Sequence, residues 1–433
     1  MVQKLGFESV ASGRIIRDHN GNYTHQLSMG DPTDQMDSGR CWIFAGCNAV
    51  RTMSLNRKLL PQGFQFSETY LYFYSMLEKA NFYMNKVASE IERGSNPNLI
   101  RNLEDPGMDD GGWWAWFSYL VNKYGLVPRE VMPDSHSSTN SEILNSQLQE
   151  LIMFHVREMI LKSEKAKTRK NLFSVLRVSL AEAQKDLWTV LTTHLGTPIG
   201  LDQRFEFRKD LNEGPNAEAM DPTNPAVVRS FTPIQFAKRH LRLKQGNFIT
   251  IFSNPFRPIN THFEIKDSSI GIPGPNKSPE NLRMLNSTNA RLMELVIASI
   301  NVGVPVWFGA DVRQAVHHES GIMHPDIFRS DDVYGFPPEG GSLPLKDRIL
   351  YGTTSEGHSM VINGYDWPRT SDRVIKFRVE NSWGEDHVFH LYPTWFENFV
   401  FSVVVPKSVL SPAELKALGS QPQEISEEDW EIK

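Results

Sequence analysis

The hydrophobic positions of this chain follow two rhythms. From Cys41 to Met53 apolar and small residues dominate, which predicts a helix starting near Cys41, just after Ser38-Gly39. From Phe66-Ser67-Glu68 the stretch SETYLYFYSMLEKANFYMNKVASEI is amphipathic at helical spacing, and its aromatic stripe reads as core or subunit interface rather than as a ligand box. Residues 140–200 are polar and helical in pattern and carry the basic run KSEKAKTRK at 162–170. From about residue 246 the rhythm shortens. FITIFSNP, HFEIKDSS, VWFGADV, HSMVINGYDW, VIKFRVENSW and FSVVVP are brief alternating or apolar runs bounded by Gly, Pro, Asn and Asp, as in a mostly antiparallel, barrel-like lobe. Ile375, Phe377 and Val379 alternate with Lys376, Arg378 and Glu380, so period two puts Asn381 on the apolar face. Near the end, SPAELKALG reads as a short helix with a Ser411/Glu414 capping box, Pro412 in its first turn and Gly419 as terminator.

Length and charge narrow the function classes. A chain of 433 residues can bury a large core. It has no run of about 18 apolar residues and no apolar signal core at its start, so a soluble, cytoplasmic protein without membrane contact is expected. The net charge of −6 argues against strong phosphate binding, although the basic run and Lys238, Arg239, Arg242 and Lys244 keep a nucleic-acid-binding alternative open. Two cysteines do not make a disulfide framework, and on one helix the rise between Cys41 and Cys47, about 9 Å, exceeds disulfide reach. Cys47 reads as core. HExxH, GxxxxGK[ST] and GxSxG are all absent. His317, His318 and Glu319 lack a surrounding ligand cluster, so neither a metal nor a cofactor is expected.

The remaining candidate chemistry is nucleophilic. Cys41 at a helix start would have its thiolate favoured by the helix dipole, and His358, in EGHSMVINGY, is the best partner to share its proton. Asn381, in RVENSWGEDH, can orient the imidazole, and Trp383 can shield that contact from water. Gln35, six residues before Cys41, can join the Cys41 backbone N–H as an oxyanion hole. Each residue alone has a structural reading: a small buried hydrophobe, a satisfied polar side chain, a turn. Their order and local settings together favour catalysis.

Those settings resemble the bleomycin hydrolase and aminopeptidase C family of papain-like cysteine peptidases. SGRCWIF, DDGGWWAWFSYLVNKYGLVP at 109–128, VWFGADV at 306–312 and RVENSWGEDH carry the likeness over most of the chain. His358 follows Cys41 by more than twice the roughly 130–150 residues of papain-type enzymes, so large insertions are expected. The resemblance implies an α+β, papain-like two-lobe fold with helical insertions and a C-terminal arm. The implied division is a helical lobe over 1–139 bearing the cysteine, an inserted helical region over 140–245, a strand-rich lobe over 246–405 bearing His358 and Asn381, and a terminal helix and tail over 406–433. It also implies peptide substrates and a homohexamer. Asp110, Gly111 and Gly112 would line the substrate's path, where the glycines let a peptide lie close or make a turn with positive φ.

In that family the chain end lies in its own cleft and offers a carboxylate to a substrate's free amine, a role that falls on Lys433 here and makes an aminopeptidase. The stretch after Trp430 is short, which makes an endopeptidase the competing expectation. Asp37, four residues before Cys41, would oppose a thiolate if it pointed inward.

Overall fold

The computed structural model describes Gln3 and residues 13–95, 108–209, 227–241, 246–265, 281–335, 343–385 and 387–426. Five long helices form its first half: α1 (Cys41–Asn56), α2 (Glu68–Glu92), α3 (Trp114–Tyr124), α4 (Glu142–Glu164) and α5 (Arg169–Leu195). Ser67 caps α2 by accepting from the Tyr70 N–H at 3.0 Å, as a serine ahead of an amphipathic run should. Its aromatic stripe is core: Tyr70, Leu71, Tyr72 and Phe73 are fully buried. Helices α4 and α5 bury Leu144, Leu148, Ile152, Leu187 and Leu191, spaced four apart along each helix, in the same core that holds α1. The basic run 162–170 is not one helix. It spans the end of α4, the turn at 165–168 and the start of α5, a solvated hairpin tip.

The second half is built on a large, predominantly antiparallel sheet. Its main strands are β1 (Phe248–Phe252), β2 (His262–Ile265), β3 (Leu282–Asn286), β4 (Val306–Ala310), β5 (His358–Asp366), β6 (Lys376–Glu380), β7 (Val388–Leu391), β8 (Val400–Pro406) and β9 (Gln423–Ile425). They run in the order β9-β2-β3-β1-β8-β4-β5-β6-β7, and the short strands Ile322–Met323 and Val316–His317 extend the β7 end. Pairs β9/β2 and β1/β3 are parallel, while β8/β4, β4/β5 and β5/β6 at the centre are antiparallel. One face carries an apolar core that includes Phe308, Met360, Phe377 and Val403. The other contributes Trp307, Val361 and Val404 to the helical core, so α1 lies directly against β5 and β4.

Double coverage explains where simple alternation fails on β6. Phe377 and Val379 are buried as expected, but so are Lys376 and Glu380, while Ile375 is partly exposed. Lys376 Nζ donates to the Asn20 carbonyl at 2.6 Å, and Glu380 pairs with Arg51 of α1 at 2.6 Å. The short terminal helix Pro412–Leu418 has the expected Ser411/Glu414 capping box and Pro412 in its first turn.

Candidate active site

Helix α1 begins at the cysteine itself, and Arg40 before it provides no side-chain cap. The first-turn N–H groups therefore lack a side-chain acceptor and favour negative charge at the sulfur. The turn leading into it is held from below. Arg40 is fully buried, donates from Nε to Ser38 Oγ at 2.9 Å and lies 3.5 Å from Asp134. Met36 adopts a left-handed φ of +52°, a strained conformation of the kind that gathers at functional turns. Asp37 is exposed, and its backbone bridges to Asn140.

Strand β5 begins at the histidine. His358 is buried, and its Nε2 lies 2.8 Å from Asn381 Oδ1, at the end of β6. That contact makes Nε2 the protonated nitrogen of a neutral ring and leaves Nδ1 for proton transfer. Trp383 packs over the imidazole with ring centroids 4.9 Å apart. His318 packs against the same indole, tilted by 40° with ring centroids 5.5 Å apart.

Gln35 is fixed at both ends of its amide. Oε1 accepts from Ser382 Oγ at 2.7 Å, and Nε2 donates to the Ser38 carbonyl at 2.5 Å. Its backbone N–H also donates to the Ser382 carbonyl at 2.9 Å, so the loops bearing Gln35 and Asn381 are tied together. A primary amide has two hydrogens, and the second is the one a developing oxyanion could accept.

Burial opposes charge on both central groups. It pushes the Cys41 thiol up, against hydrogen bonds from the Ser359 N–H and hydroxyl and the Trp42 N–H, and Asp110 adds to the upward push. It pushes His358 down to about 4, against the Asn381 contact. The helix N-terminus and these hydrogen bonds are therefore what offset desolvation of a thiolate–imidazolium pair. Ser359 was invisible to sequence reasoning except as the neighbour of His358, yet it is the residue of β5 that reaches the sulfur.

In the 109–113 segment the Asp110 side chain is fully engaged by the protein itself. Asp110 accepts from the Gly39 N–H at 2.8 Å, Tyr72 Oη at 2.7 Å, Asn145 Nδ2 at 2.5 Å and the Ser141 hydroxyl. Burial would raise its carboxyl, but these bonds outweigh that and hold it below its usual value. With both oxygens occupied, Asp110 braces the turn before Cys41 and has no acceptor left for a substrate. Neither Gly111 nor Gly112 has a positive φ. Gly112 is required for another reason: a Cβ there would strike the Trp42 ring, whose Nε1 donates to the Asp110 carbonyl at 2.6 Å. Lys433 lies outside the described residues.

A cysteine at a helix N-terminus, with an amide-oriented imidazole at the start of the strand that helix packs against, suits a cysteine peptidase, and the chain belongs to the Peptidase C1-like family, whose profile matches residues 2–431. Aminopeptidase C of Lactobacillus delbrueckii subsp. lactis is 27% identical over 95% of this chain and 86% of its own length. Aminopeptidase C of Listeria monocytogenes is 29% identical over 94% and 87%, and the mitochondrial cysteine proteinase 1 of Saccharomyces cerevisiae 28% over 88% and 76%. Among solved structures, PepW of Lactobacillus rhamnosis superposes with a TM-score of 0.83 at 25% identity, covering 99% of this chain and 92% of that one. The protein is a papain-like cysteine peptidase.

Proposed function

We propose that the chain is an aminopeptidase of bleomycin hydrolase type in which Cys41, His358, Asn381 and Gln35 carry the reaction. Cys41 Sγ attacks the scissile carbonyl as its proton passes to His358 Nδ1. The oxyanion is held by the Cys41 N–H and the free Gln35 amide hydrogen. Collapse of this intermediate breaks the C–N bond, His358 returns the proton to the leaving amine, and a thioester remains on Cys41. Water, deprotonated by His358, then hydrolyses the thioester. Asn381 keeps the imidazole tautomer and orientation fixed throughout. The observation that carries this reading is the 2.8 Å contact between His358 Nε2 and Asn381 Oδ1, with His358 on the strand against which the helix beginning at Cys41 packs.

Preference for a free amino terminus rests on the aminopeptidase relatives. Strand β9 pairs with β2, and Ile425 packs in the cluster that includes Trp113 and Trp116, beside Gly112. A reduced thiol, and hence a cytoplasmic setting, suits the nucleophile. Exposed Phe154, Phe173 and Trp188 on α4 and α5 offer contacts for the hexamer that the resemblance implies.

Paired fluorogenic amides, one with a free amine and one acetylated, test the reading on wild type and Cys41→Ala in reducing buffer. Cleavage of the free-amine substrate alone, lost in the variant, is the expected result. Equal cleavage of both would make the protein an endopeptidase, and undiminished cleavage by Cys41→Ala would end the assignment.

A further inference from the structure

Three strands build the floor beside Cys41. Trp307 of β4 is in register with Val361 of β5 and Val404 of β8, and all three pack into the helical core. Every second residue of a strand points to the same face. Gly309, Ser359 and Ser402, two positions along and again in register, therefore share that face. Trp307 Nε1 donates to the carbonyl of Trp42, the residue after Cys41, at 3.3 Å, which puts this row against the start of α1.

Gly309 leaves a gap in the row, and Glu356 fills it. Glu356 Oε1 occupies the space a Cβ on Gly309 would need, and it accepts from Ser402 Oγ at 2.5 Å. Oε2 is buried and has no hydrogen-bond partner. Among the described residues no basic side chain pairs with this carboxyl, and burial pushes it up to about 7 against the Ser402 hydrogen bond. The segment that carries it is well anchored. Thr354 Oγ1 donates to the fully buried Asp311 at 3.0 Å, and the Gly357 N–H donates to the Ala310 carbonyl at 3.2 Å. An orphaned carboxylate oxygen on a rigid segment costs stability and needs a reason. With strands about 4.8 Å apart, the carboxyl over Gly309 of β4 stands about one strand spacing from Ser359, the residue after His358. That is the reach of the attacked residue and the one before it, at about 3.4 Å per residue.

We propose that Glu356 recognises a cationic nitrogen on the amino side of the bond that Cys41 attacks. The proposal rests on the peptidase reading of the site and names its specificity element. Two sources can supply the ammonium: the free α-amine of the first residue, or a basic side chain on the residue preceding the one cleaved. In either case the arriving charge gives the carboxyl the counter-ion the protein withholds.

Two matched pairs of fluorogenic amides separate the sources: free amine against acetylated, and acetylated substrates with lysine against glutamine before the cleaved residue. In Glu356→Gln the ratio of kcat/KM for the ammonium-bearing member over its neutral partner falls about tenfold or more in one pair, carried by KM. Glu356→Asp, which keeps the charge, recovers part of it. The affected pair identifies the source. Ratios unchanged in both pairs, or an equal loss on all four substrates, overturn the proposal. Protection of Cys41 from iodoacetamide by leucyl-alaninamide, lysyl-alaninamide and their acetylated forms, compared free against acetylated and acetyl-lysyl against acetyl-leucyl, reads the same discrimination without turnover. If no substrate is hydrolysed but Glu356→Gln abolishes that difference, the peptidase reading fails and this one stands. Equal protection by all four peptides in wild type overturns it.

Discussion

Replacing Glu380 with alanine strands the Arg51 guanidinium between α1 and the sheet. Both side chains are 1% exposed, and their contact at 2.6 Å joins the cysteine helix to the strand that ends at Asn381. Without Glu380, Arg51 keeps only a long 3.5 Å contact from Nη1 to the Phe64 carbonyl, and its Nε has no partner to fall back on. Removing one member of such a buried pair costs about 3–5 kcal/mol. Against a urea slope of about 3 kcal/mol/M, the unfolding midpoint should fall by roughly 1–1.7 M. Tryptophan fluorescence follows this under reducing conditions.

The pair itself is expected to add little net stability, because burial pushes the Glu380 carboxyl up even with Arg51 pulling it down. Arg51→Met combined with Glu380→Leu should therefore regain most of what Glu380→Ala loses. A midpoint shift below about 0.3 M for Glu380→Ala, or about 1 kcal/mol on the same slope, would place the pair among ordinary surface contacts and refute the argument. A double variant as unstable as the single one would do the same.

Other consequences are open to direct measurement. Asn381→Ala should lower kcat about a hundredfold or more with little change in KM, since it frees the imidazole without touching substrate; steady-state kinetics decides this. Ser359→Ala removes a hydrogen bond that lowers the Cys41 thiol, so the midpoint of the pH dependence of iodoacetamide alkylation should move upward. His358 is held neutral in the fold down to about 4, below its ordinary 6.5. Its contribution to stability is therefore complete above pH 6.5 and is lost as pH falls toward 4, by about 3 kcal/mol. Urea melts of wild type should show this loss across that window, and melts of His358→Asn should not.

The patterning made the two-part architecture and the order of Cys41, His358 and Asn381 legible because each rests on a local cause: a helix start, a strand start, a strand end. It misjudged β6 because period two presumes one wet face, whereas the N-terminal segment and α1 cover the second and turn Lys376 and Glu380 inward. It gave Asp110 to the substrate because sequence placed it beside two glycines. What decides its role is the convergence of Gly39, Tyr72, Ser141 and Asn145, which come from three separate parts of the chain. Ser359 and Glu356 depend on register among strands beginning at Val306, His358 and Val400, and no local pattern encodes a register between segments so far apart. One trace of it was present in VWFGADV. A glycine inside a buried strand marks a place where something else must approach closely, but only the folded sheet identifies that something as the carboxyl of Glu356.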